Sequence, residues 1–282
     1  MPTCDEGAPA DRWANSGTAS LDGFAGFPGG QNLDVQALIT NDDGVESPGL
    51  AALAEVAAKA GFDVTVAAPS WDSSGASASL TAVQQDGRFL IEERDPVVPG
   101  SRWLSVEAAP AFIVRAAMEE AFGPRPDVVL SGINTGPNLG EAVLHSGTVG
   151  AVLTAATQRC RGLAVSLGVG DPFHWDSAAN VAARLLTWLL VAEPGTAVNL
   201  NVPNVPLDQV RGLRRGGLAA GGTVQATVTE AGEGYRKMSF AQGDGTFEAG
   251  TDAALLAEGY ACFTPLASPC EAKAVDTSGL TD

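Results

Sequence analysis

The stretch VQALITNDDGVESPG, residues 35–49, contains the signals for a strand, a turn and a helix start. Its first part is a short apolar run typical of a buried strand, and the run stops at the polar sequence TNDDG. Gly44 permits a sharp turn, and Ser47 and Pro48 are typical of a helix cap and a first helical position. Since open parallel sheets bind ligands beyond the carboxyl ends of their strands, the stretch predicts an α/β fold with a site at this turn.

Two adjacent carboxylates, Asp42 and Asp43, lie at this predicted strand end. Like charges held in one site raise one of the two pKa values unless a positive charge lies between them. A hard divalent cation such as Mg²⁺ or Mn²⁺ would remove that repulsion. In the structural alternative, Asp42 caps the turn and Asp43 is merely solvated, as is common in Asp-Gly turns. The pair alone leaves both interpretations open.

The composition restricts the class of protein and its partners. A chain of 282 residues that is 45% hydrophobic is long enough for one large α/β domain, with or without a small appendage. The formal net charge of −17 makes nucleic-acid polymers and anionic membrane surfaces poor partners. A small phosphorylated substrate stays possible if a metal and local backbone amides overcome the unfavourable field.

The chain also lacks the sequence signals of membrane or secreted proteins. It contains no run of about eighteen apolar residues and no basic segment followed by an apolar one at its start. Its four cysteines are too scattered for a zinc site. We therefore expect a cytoplasmic protein with free thiols, with a Cys262–Cys270 disulfide as the less favoured alternative.

Polar side chains follow two further predicted strands. Residues 62–68 form one strand, and the Ser-rich loop behind it emerges at the same edge as the two aspartates, where Ser74 could add a hydroxyl ligand. A Ser-rich turn that caps itself is the alternative. Residues 127–130 form the other strand, followed by the loop SGINTGPNLG. Its glycines and asparagines, among them Asn134 and Gly136, predict close backbone approach and amides free to hold oxyanions.

The sequence HSGT, residues 145–148, precedes an Ala-rich helix that is predicted to run through residue 158. Ser146 or Thr148 can cap that helix, and its free amides predict an anion site. His145 lies beside the Gly-rich loop, so a structural and a functional role are equally compatible with its position.

The remaining elements follow from periodicity and turn residues. We expect a hairpin or an excursion from the sheet over residues 79–106, and a later hairpin that leaves the core over 223–228 and 235–240. The other predicted helices cover residues 110–122, 178–190 and 252–256, and the other predicted strands cover 163–167, 197–202 and 260–264.

Three strand ends thus deliver Asp42 and Asp43, then Ser74, then Asn134 to one edge of a parallel sheet. Oxygen-only ligation selects a hard cation over Zn²⁺. With a phosphate site beside the cation, metal-assisted hydrolysis of a phosphomonoester is the simplest chemistry that uses every part. Direct attack by an Asp carboxylate on the phosphate stays open.

The chain resembles the SurE family of survival-protein phosphatases. The resemblance is carried by TNDDG (40–44), AAPSWDSSGASASLT (67–81), SGINTGPNLGEAVLHSGTVGA (131–151), NLNVP (199–203) and EGYACFTPL (258–266). It implies a phosphatase of nucleoside monophosphates whose divalent cation is bound by Asp42, Asp43, Ser74 and Asn134. We expect the two aspartates to be the catalytic residues as well. The residues expected to contact substrate are Asn41, Gly44, Gly136, Asn138, His145, Ser146, Gly147 and Thr148.

The resemblance also implies an architecture. We expect a Rossmann-like three-layer α/β sandwich with a mostly parallel sheet, and a protruding C-terminal β-hairpin that is exchanged between subunits of a homodimer or homotetramer. The corresponding division is a flexible extension (1–32), the catalytic core (33–210), the hairpin and C-terminal oligomerisation segment (211–268) and a polar tail (269–282).

Two departures from the family pattern concern the substrate. The family usually has GTPADCV where this chain has AAPAFIV (108–114), so Ala109 and Phe112 replace a hydroxyl and a carboxylate. Ser73 replaces a residue that is commonly basic. These changes leave a non-nucleotide, sugar-type phosphate of secondary metabolism as an alternative substrate, and a non-catalytic nucleotide- or metal-binding module as an alternative function. An NAD-dependent oxidoreductase and a serine hydrolase are disfavoured, because the G-x-G-x-x-G and G-x-S-x-G signatures are absent.

Overall fold

The computed structural model describes residues 34–220, 224–242 and 247–269. The predicted N-terminal extension, the alternative disulfide partner Cys270 and the tail beyond residue 269 lie outside this part. None of the described helices is long and apolar enough to cross a membrane.

The described chain alternates strands and helices. The strands are β1 (Gln36–Thr40), β2 (Asp63–Pro69), β3 (Gln84–Gln85), β4 (Arg88–Phe89), β5 (Ile91–Arg94), β6 (Arg102–Val106), β7 (Val128–Thr135), β8 (Arg161–Leu167), β9 (Ala197–Val202), β10 (Leu213–Arg215), β11 (Val224–Gly232), β12 (Tyr235–Gln242) and β13 (Ala261–Leu266). The α-helices are α1 (Pro48–Lys59), α2 (Pro110–Met118), α3 (Gly147–Thr157), α4 (Trp175–Leu189) and α5 (Asp252–Ala257), and a 3-10 helix (Gly140–His145) precedes α3.

The main sheet has nine strands in the order β10-β13-β9-β8-β7-β1-β2-β6-β5. The six strands from β9 to β6 are mutually parallel, whereas β5 and β13 run antiparallel to their neighbours β6 and β9. In chain order the parallel strands are arranged 3-2-1-4-5-6, the order of a Rossmann-like fold. The order reverses between β1 and β7, so the sequence TNDDG lies at the switch point where such folds bind ligands.

Helices cover both faces of the sheet. Helices α1 and α4 pack together over one face, where Leu53 and Leu186 belong to the larger hydrophobic core. Helices α2 and α3 cover the other face, where Ile113 and Ala151 pack against Leu38. The predicted three-layer α/β sandwich is therefore confirmed.

Strand β6 was not predicted as part of the main sheet. Residues 79–106 do form a short hairpin, β3 with β4, but β6 then pairs in parallel with β2, and β5 adds an antiparallel edge strand. Trp103, Leu104 and Val106 are buried in the core. The prediction of a separate excursion is wrong for this part, because a short strand among exposed neighbours gives too weak a periodic signal.

Two element boundaries also differ from prediction. Strand β7 continues through Thr135, so Ser131 and Asn134 belong to a strand rather than to the Gly-rich loop. Its pairing with β8 shifts register between Ser131 and Asn134, which marks an irregularity at this strand end. Helix α2 ends at Met118, and Glu120 follows with a φ of 63°, so Phe122 is buried outside the helix.

The predicted C-terminal hairpin is present as β11 and β12, which form a two-stranded sheet of their own. Before and after it, the chain returns to the core: β10 pairs with β13, and β13 pairs with β9. The predicted short helix and last strand correspond to α5 and β13.

Candidate active site

The turn after β1 is held by Asn41. Its side-chain amide donates to the carbonyl of Gly44 (3.0 Å), and its side-chain oxygen accepts from the Gly44 amide (3.2 Å). Asn41 is fully buried, so both residues shape the turn rather than present groups to a substrate. Because Asn41 closes the turn, Asp42 is not needed as its cap, and both aspartates are free for other contacts.

Asp42 faces the start of helix α3. One carboxylate oxygen accepts from the Thr148 amide (3.0 Å) and the other from the Thr148 hydroxyl (2.6 Å). A Cβ at Gly147 would lie 2.8 Å from this carboxylate, so only glycine allows this approach. Burial raises the pKa of Asp42; the Thr148 bonds oppose that rise, and the nearby charge of Asp72 adds to it. The helix dipole at this terminus favours the anion.

Asp43 faces the end of strand β7. Its oxygens accept long hydrogen bonds from the amide (3.3 Å) and the hydroxyl (3.4 Å) of Thr135. Burial, and then the charge of Asp42, raise the pKa of Asp43 to about 6. The two predicted catalytic carboxylates therefore do repel each other, and the chain supplies only partial compensation.

The loop after β2 reaches the same site. Both the amide (2.7 Å) and the hydroxyl (3.2 Å) of Ser73 donate to the Asp42 carbonyl, and Ser73 is buried. Ser74 is exposed, and its amide (2.9 Å) and hydroxyl (2.6 Å) both donate to one carboxylate oxygen of Asp72. Sequence reasoning missed Asp72 and the structural role of Ser73; the spacing D-S-S in a polar loop was the available signal.

Asn134 occupies the irregular end of β7, next to Thr135. Its side-chain NH₂ donates to the Gly136 carbonyl (2.7 Å). This contact fixes the orientation of the amide and leaves its oxygen as the group for a ligand. Gly132 is required behind it, because a Cβ there would lie 2.2 Å from the Val165 carbonyl oxygen.

Three backbone amides of the Gly-rich loop donate to partners within the protein. The Gly136 amide donates to Leu167 (2.9 Å), that of Asn138 to the Asn201 side chain (2.8 Å) and that of Gly140 to Asp252 (2.8 Å). The prediction that amides around Gly136 are free to hold oxyanions is therefore wrong. Tertiary partners satisfy these donors, as buried donors require. The Asn138 side chain is likewise engaged, since its NH₂ donates to Ser166 (2.8 Å).

The start of α3 is also partly engaged. Ser146 is the N-cap, and its hydroxyl accepts from the Val149 amide (3.1 Å). Because Thr148 binds Asp42, two of the amides that were predicted to hold a phosphate already have partners. His145, by contrast, is exposed at the end of the preceding 3-10 helix.

The donor set suits a hard divalent cation. Asp42, Asp43, Ser74 and Asn134 supply two carboxylates, a hydroxyl and an amide oxygen, the ligand types that Mg²⁺ and Mn²⁺ prefer. Among the described residues, no three His, Cys, Asp or Glu side chains are grouped to hold a metal ion, so the proposed ligand set relies on Ser74 and Asn134 as well. Burial and the neighbouring Asp42 charge raise the pKa of Asp43, so a bound cation would stabilise its carboxylate.

Comparison with known proteins identifies the family of this chain. The family model described as "Survival protein SurE" matches residues 37–225. The chain belongs to the SurE family. It is 37% identical over 241 residues to the 5'/3'-nucleotidase SurE of Shigella dysenteriae, which covers 82% of this chain and 90% of the relative. It is 38% identical over 185 residues to the 5'-nucleotidase SurE of Carboxydothermus hydrogenoformans, which covers 64% of this chain and 69% of that relative.

The SurE fold is shared as well. The crystal structure of the SurE protein from Aquifex aeolicus superposes with a TM-score of 0.70 at 28% identity, covering 86% of this chain and 97% of that one. The predicted membership of the SurE family is thus confirmed. As a member of this family, the chain is an enzyme of the phosphoric monoester hydrolase class.

Proposed function

We propose that this SurE-family chain is a divalent-metal-dependent phosphomonoesterase that hydrolyses nucleoside monophosphates or a related small phosphate ester. The nucleotidase names of its relatives support the substrate class. The observation that carries the proposal is the pair Asp42 and Asp43, placed at the switch point of the sheet with raised pKa values.

In this proposal Asp42, Asp43, Ser74 and Asn134 hold the cation. When bound, the cation supplies a Lewis acid for a phosphoryl oxygen and lowers the pKa of a water molecule. Asp42 orients the attacking water or accepts its proton, and its buried carboxylate is fixed for this task by the two bonds from Thr148. Asp43 follows β1 and Asn134 ends the neighbouring strand β7, where Thr135 donates to Asp43, so both can contribute to one cation site.

The substrate contacts predicted for the amides of the Gly-rich loop must be assigned to other groups, because most of those amides have protein partners. His145 is the exposed group next to the α3 start, and we assign it the contact with a phosphoryl oxygen. The main role of Ser146, Gly147 and Thr148 is then to form the start of α3 that contacts the Asp42 carboxylate.

A direct test combines a generic aryl phosphate with Mg²⁺ or Mn²⁺. Phosphate release that EDTA abolishes is expected from the parent protein and from Asp63→Asn, an exposed aspartate at the start of β2. Asp43→Asn should lose the activity. Metal-independent release, or release by Asp43→Asn at the parent rate, contradicts the proposal, and folded protein that releases no phosphate from any ester supports a binding module.

Isotope labels separate the two nucleophiles. With a phosphoryl group made chiral by oxygen isotopes, we expect inversion at phosphorus, because attack by water is one in-line displacement, whereas attack by a carboxylate followed by hydrolysis is two and gives retention. Oxygen-18 from labelled water in the side chain of Asp42 or Asp43 would instead show attack by a carboxylate.

A sugar-type phosphate of secondary metabolism is the second candidate substrate. It is considered because two residues depart from the family pattern: Phe112 makes an edge-to-face contact with Phe89 at 5.2 Å and Ala109 is buried, so neither offers the usual polar group. A panel of phosphate esters decides between the candidates by comparing kcat/KM for nucleotides and for sugar phosphates.

The proposed assembly is a homodimer or homotetramer formed through the hairpin β11 and β12, and the predicted division of the chain into extension, core, oligomerisation segment and tail is kept. The proposed location is the cytoplasm, which fits the buried free thiols of Cys160 and Cys262.

A further inference from the structure

Asp72 is a third carboxylate at this site, and the proposed mechanism gives it no role. It is exposed in the loop after β2, and its charge contributes to the raised pKa of both Asp42 and Asp43. Its own contacts are with Ser74: one carboxylate oxygen accepts from both the amide (2.9 Å) and the hydroxyl (2.6 Å) of that residue.

A second observation indicates that Asp72 does not join Asp42 and Asp43 as a metal ligand. Within the described ranges, Asp42, Asp43 and Asp72 are not grouped closely enough to hold a metal ion together. Asp72 therefore contacts the proposed ligand Ser74 but does not complete a three-carboxylate metal site.

We propose that Asp72 is a positioning residue for the metal ligand Ser74. Its carboxylate accepts a hydrogen bond from the Ser74 hydroxyl and so directs the oxygen lone pairs of Ser74 toward the metal. This inference rests on the proposed metal site. A serine hydroxyl has one proton and two lone pairs, and in solution it rotates freely between them. A hydrogen bond to a carboxylate at 2.6 Å is of the strong, charge-assisted kind and fixes this rotation.

The amide contact adds a second restraint. Because the Ser74 backbone donates to the same Asp72 oxygen as the hydroxyl, the main chain and the side chain of Ser74 are held by one group. Ser73 anchors the neighbouring peptide to the Asp42 carbonyl. The loop therefore presents Ser74 in one orientation before a cation arrives, as outer-sphere partners of metal ligands do in other proteins.

Charge offers a competing explanation, since a third carboxylate attracts any cation. Two substitutions separate the explanations. Asp72→Ala removes both the acceptor and the charge, whereas Asp72→Asn removes the charge but keeps an oxygen acceptor. If orientation is what matters, Asp72→Ala weakens Mn²⁺ binding by about 10–100-fold. Asp72→Asn then weakens it only about two- to fivefold, the effect of one exposed charge.

The measurement is calorimetric titration of the metal-free full chain with Mn²⁺, which does not depend on activity. Glu107→Ala is the matched control, because Glu107 also accepts a serine hydroxyl in this loop, from Ser70 at 2.9 Å. We expect its Kd to equal that of the parent. Thermal unfolding without metal checks that all the variants are folded.

A double-mutant cycle completes the test. In a Ser74→Ala background there is no hydroxyl to orient, so Asp72→Ala should cost no more than the two- to fivefold effect of charge. An unchanged Kd for Asp72→Ala, equal losses for Asp72→Ala and Asp72→Asn, or a full loss in the Ser74→Ala background would each overturn the inference. Failure of the parent itself to bind Mn²⁺ would instead contradict the proposed metal site.

Discussion

At the scale of single residues, Asp42 and Asp43 differ in how well the protein supports their charge. Asp42 has short hydrogen bonds from Thr148 at a helix start, whereas Asp43 has only long contacts with Thr135. Both pKa values are nevertheless raised, chiefly by burial. The metal-free fold therefore carries an electrostatic cost at neutral pH, which is common where a site is shaped for a ligand.

The first prediction concerns stability without metal. The pKa of Asp43 rises from its ordinary value of 3.8 to about 6, so the folded chain binds this proton more tightly than the unfolded chain does. The free energy of unfolding should therefore increase as the pH falls from 7 toward 4. The stabilisation that comes from protonated Asp43 is lost as the pH rises above 6. Asp43→Asn should reduce this pH dependence and unfold at a higher temperature at pH 7.5. Thermal unfolding in EDTA measures both effects, with Asp63→Asn as the control. A destabilised Asp43→Asn would show that the carboxylate is structural.

The second prediction concerns metal binding. Protons compete with the cation for Asp43, so Mn²⁺ affinity should fall by about tenfold between pH 7.5 and pH 5, as expected for one group that titrates near 6. Calorimetric titration at the two pH values tests this. An affinity that is independent of pH would exclude Asp43 as a ligand.

The sequence predicted which strand ends share this edge but not how their side chains are hydrogen-bonded. Asp42, Asp43, Ser74 and Asn134 were predicted as one ligand set because strand ends share an edge in a parallel sheet. The amide of Gly136 was assigned wrongly, because its partner, Leu167, is distant in the chain. Hydrogen-bond direction depends on such tertiary neighbours, and local composition does not encode them.

At the scale of elements, the contact between α1 and β7 determines how the two halves of the site meet. Gly49, in the first turn of α1, lies against the Ile133 carbonyl next to Asn134, and a Cβ at this position would lie 2.0 Å from that oxygen. The same Cβ would lie 2.9 Å from the Trp175 ring on its other side. The Pro-Gly pair was interpreted only as a helix start, since a close approach to another element leaves no local signal.

Substitution of this glycine gives the third prediction. Gly49→Ala should destabilise the fold by about 1–3 kcal/mol or more, because backbone must move to admit a methyl group. It should also weaken Mn²⁺ binding by displacing the end of β7. Gly217→Ala is the control, since its Cβ would meet open space. Urea unfolding compares the two variants, and equal midpoints would contradict this account of the contact.

At the scale of the whole molecule, the hairpin of β11 and β12 stands apart from the nine-stranded sheet. Val228, Tyr235 and Met238 on it are more than half exposed, and Val228 pairs directly with Met238. Isolated two-stranded hairpins are marginally stable in water, which agrees with the proposal that this one packs against a second subunit. The alternation of residues predicted the hairpin, but local periodicity does not encode what packs against it.

The last prediction follows from that exposure. If the hairpin binds a second copy of the chain, replacing Val228 with Thr, Tyr235 with Ser and Met238 with Gln should weaken self-association while the core stays folded, because these side chains lie outside the main core. Light scattering after size-exclusion chromatography should show a lower mass for this variant at equal concentration. Val191→Gln, which changes an apolar residue that is 83% exposed after α4, should keep the parent mass. An unchanged mass in the hairpin variant would move the interface elsewhere, most plainly to the exposed edge strand β5.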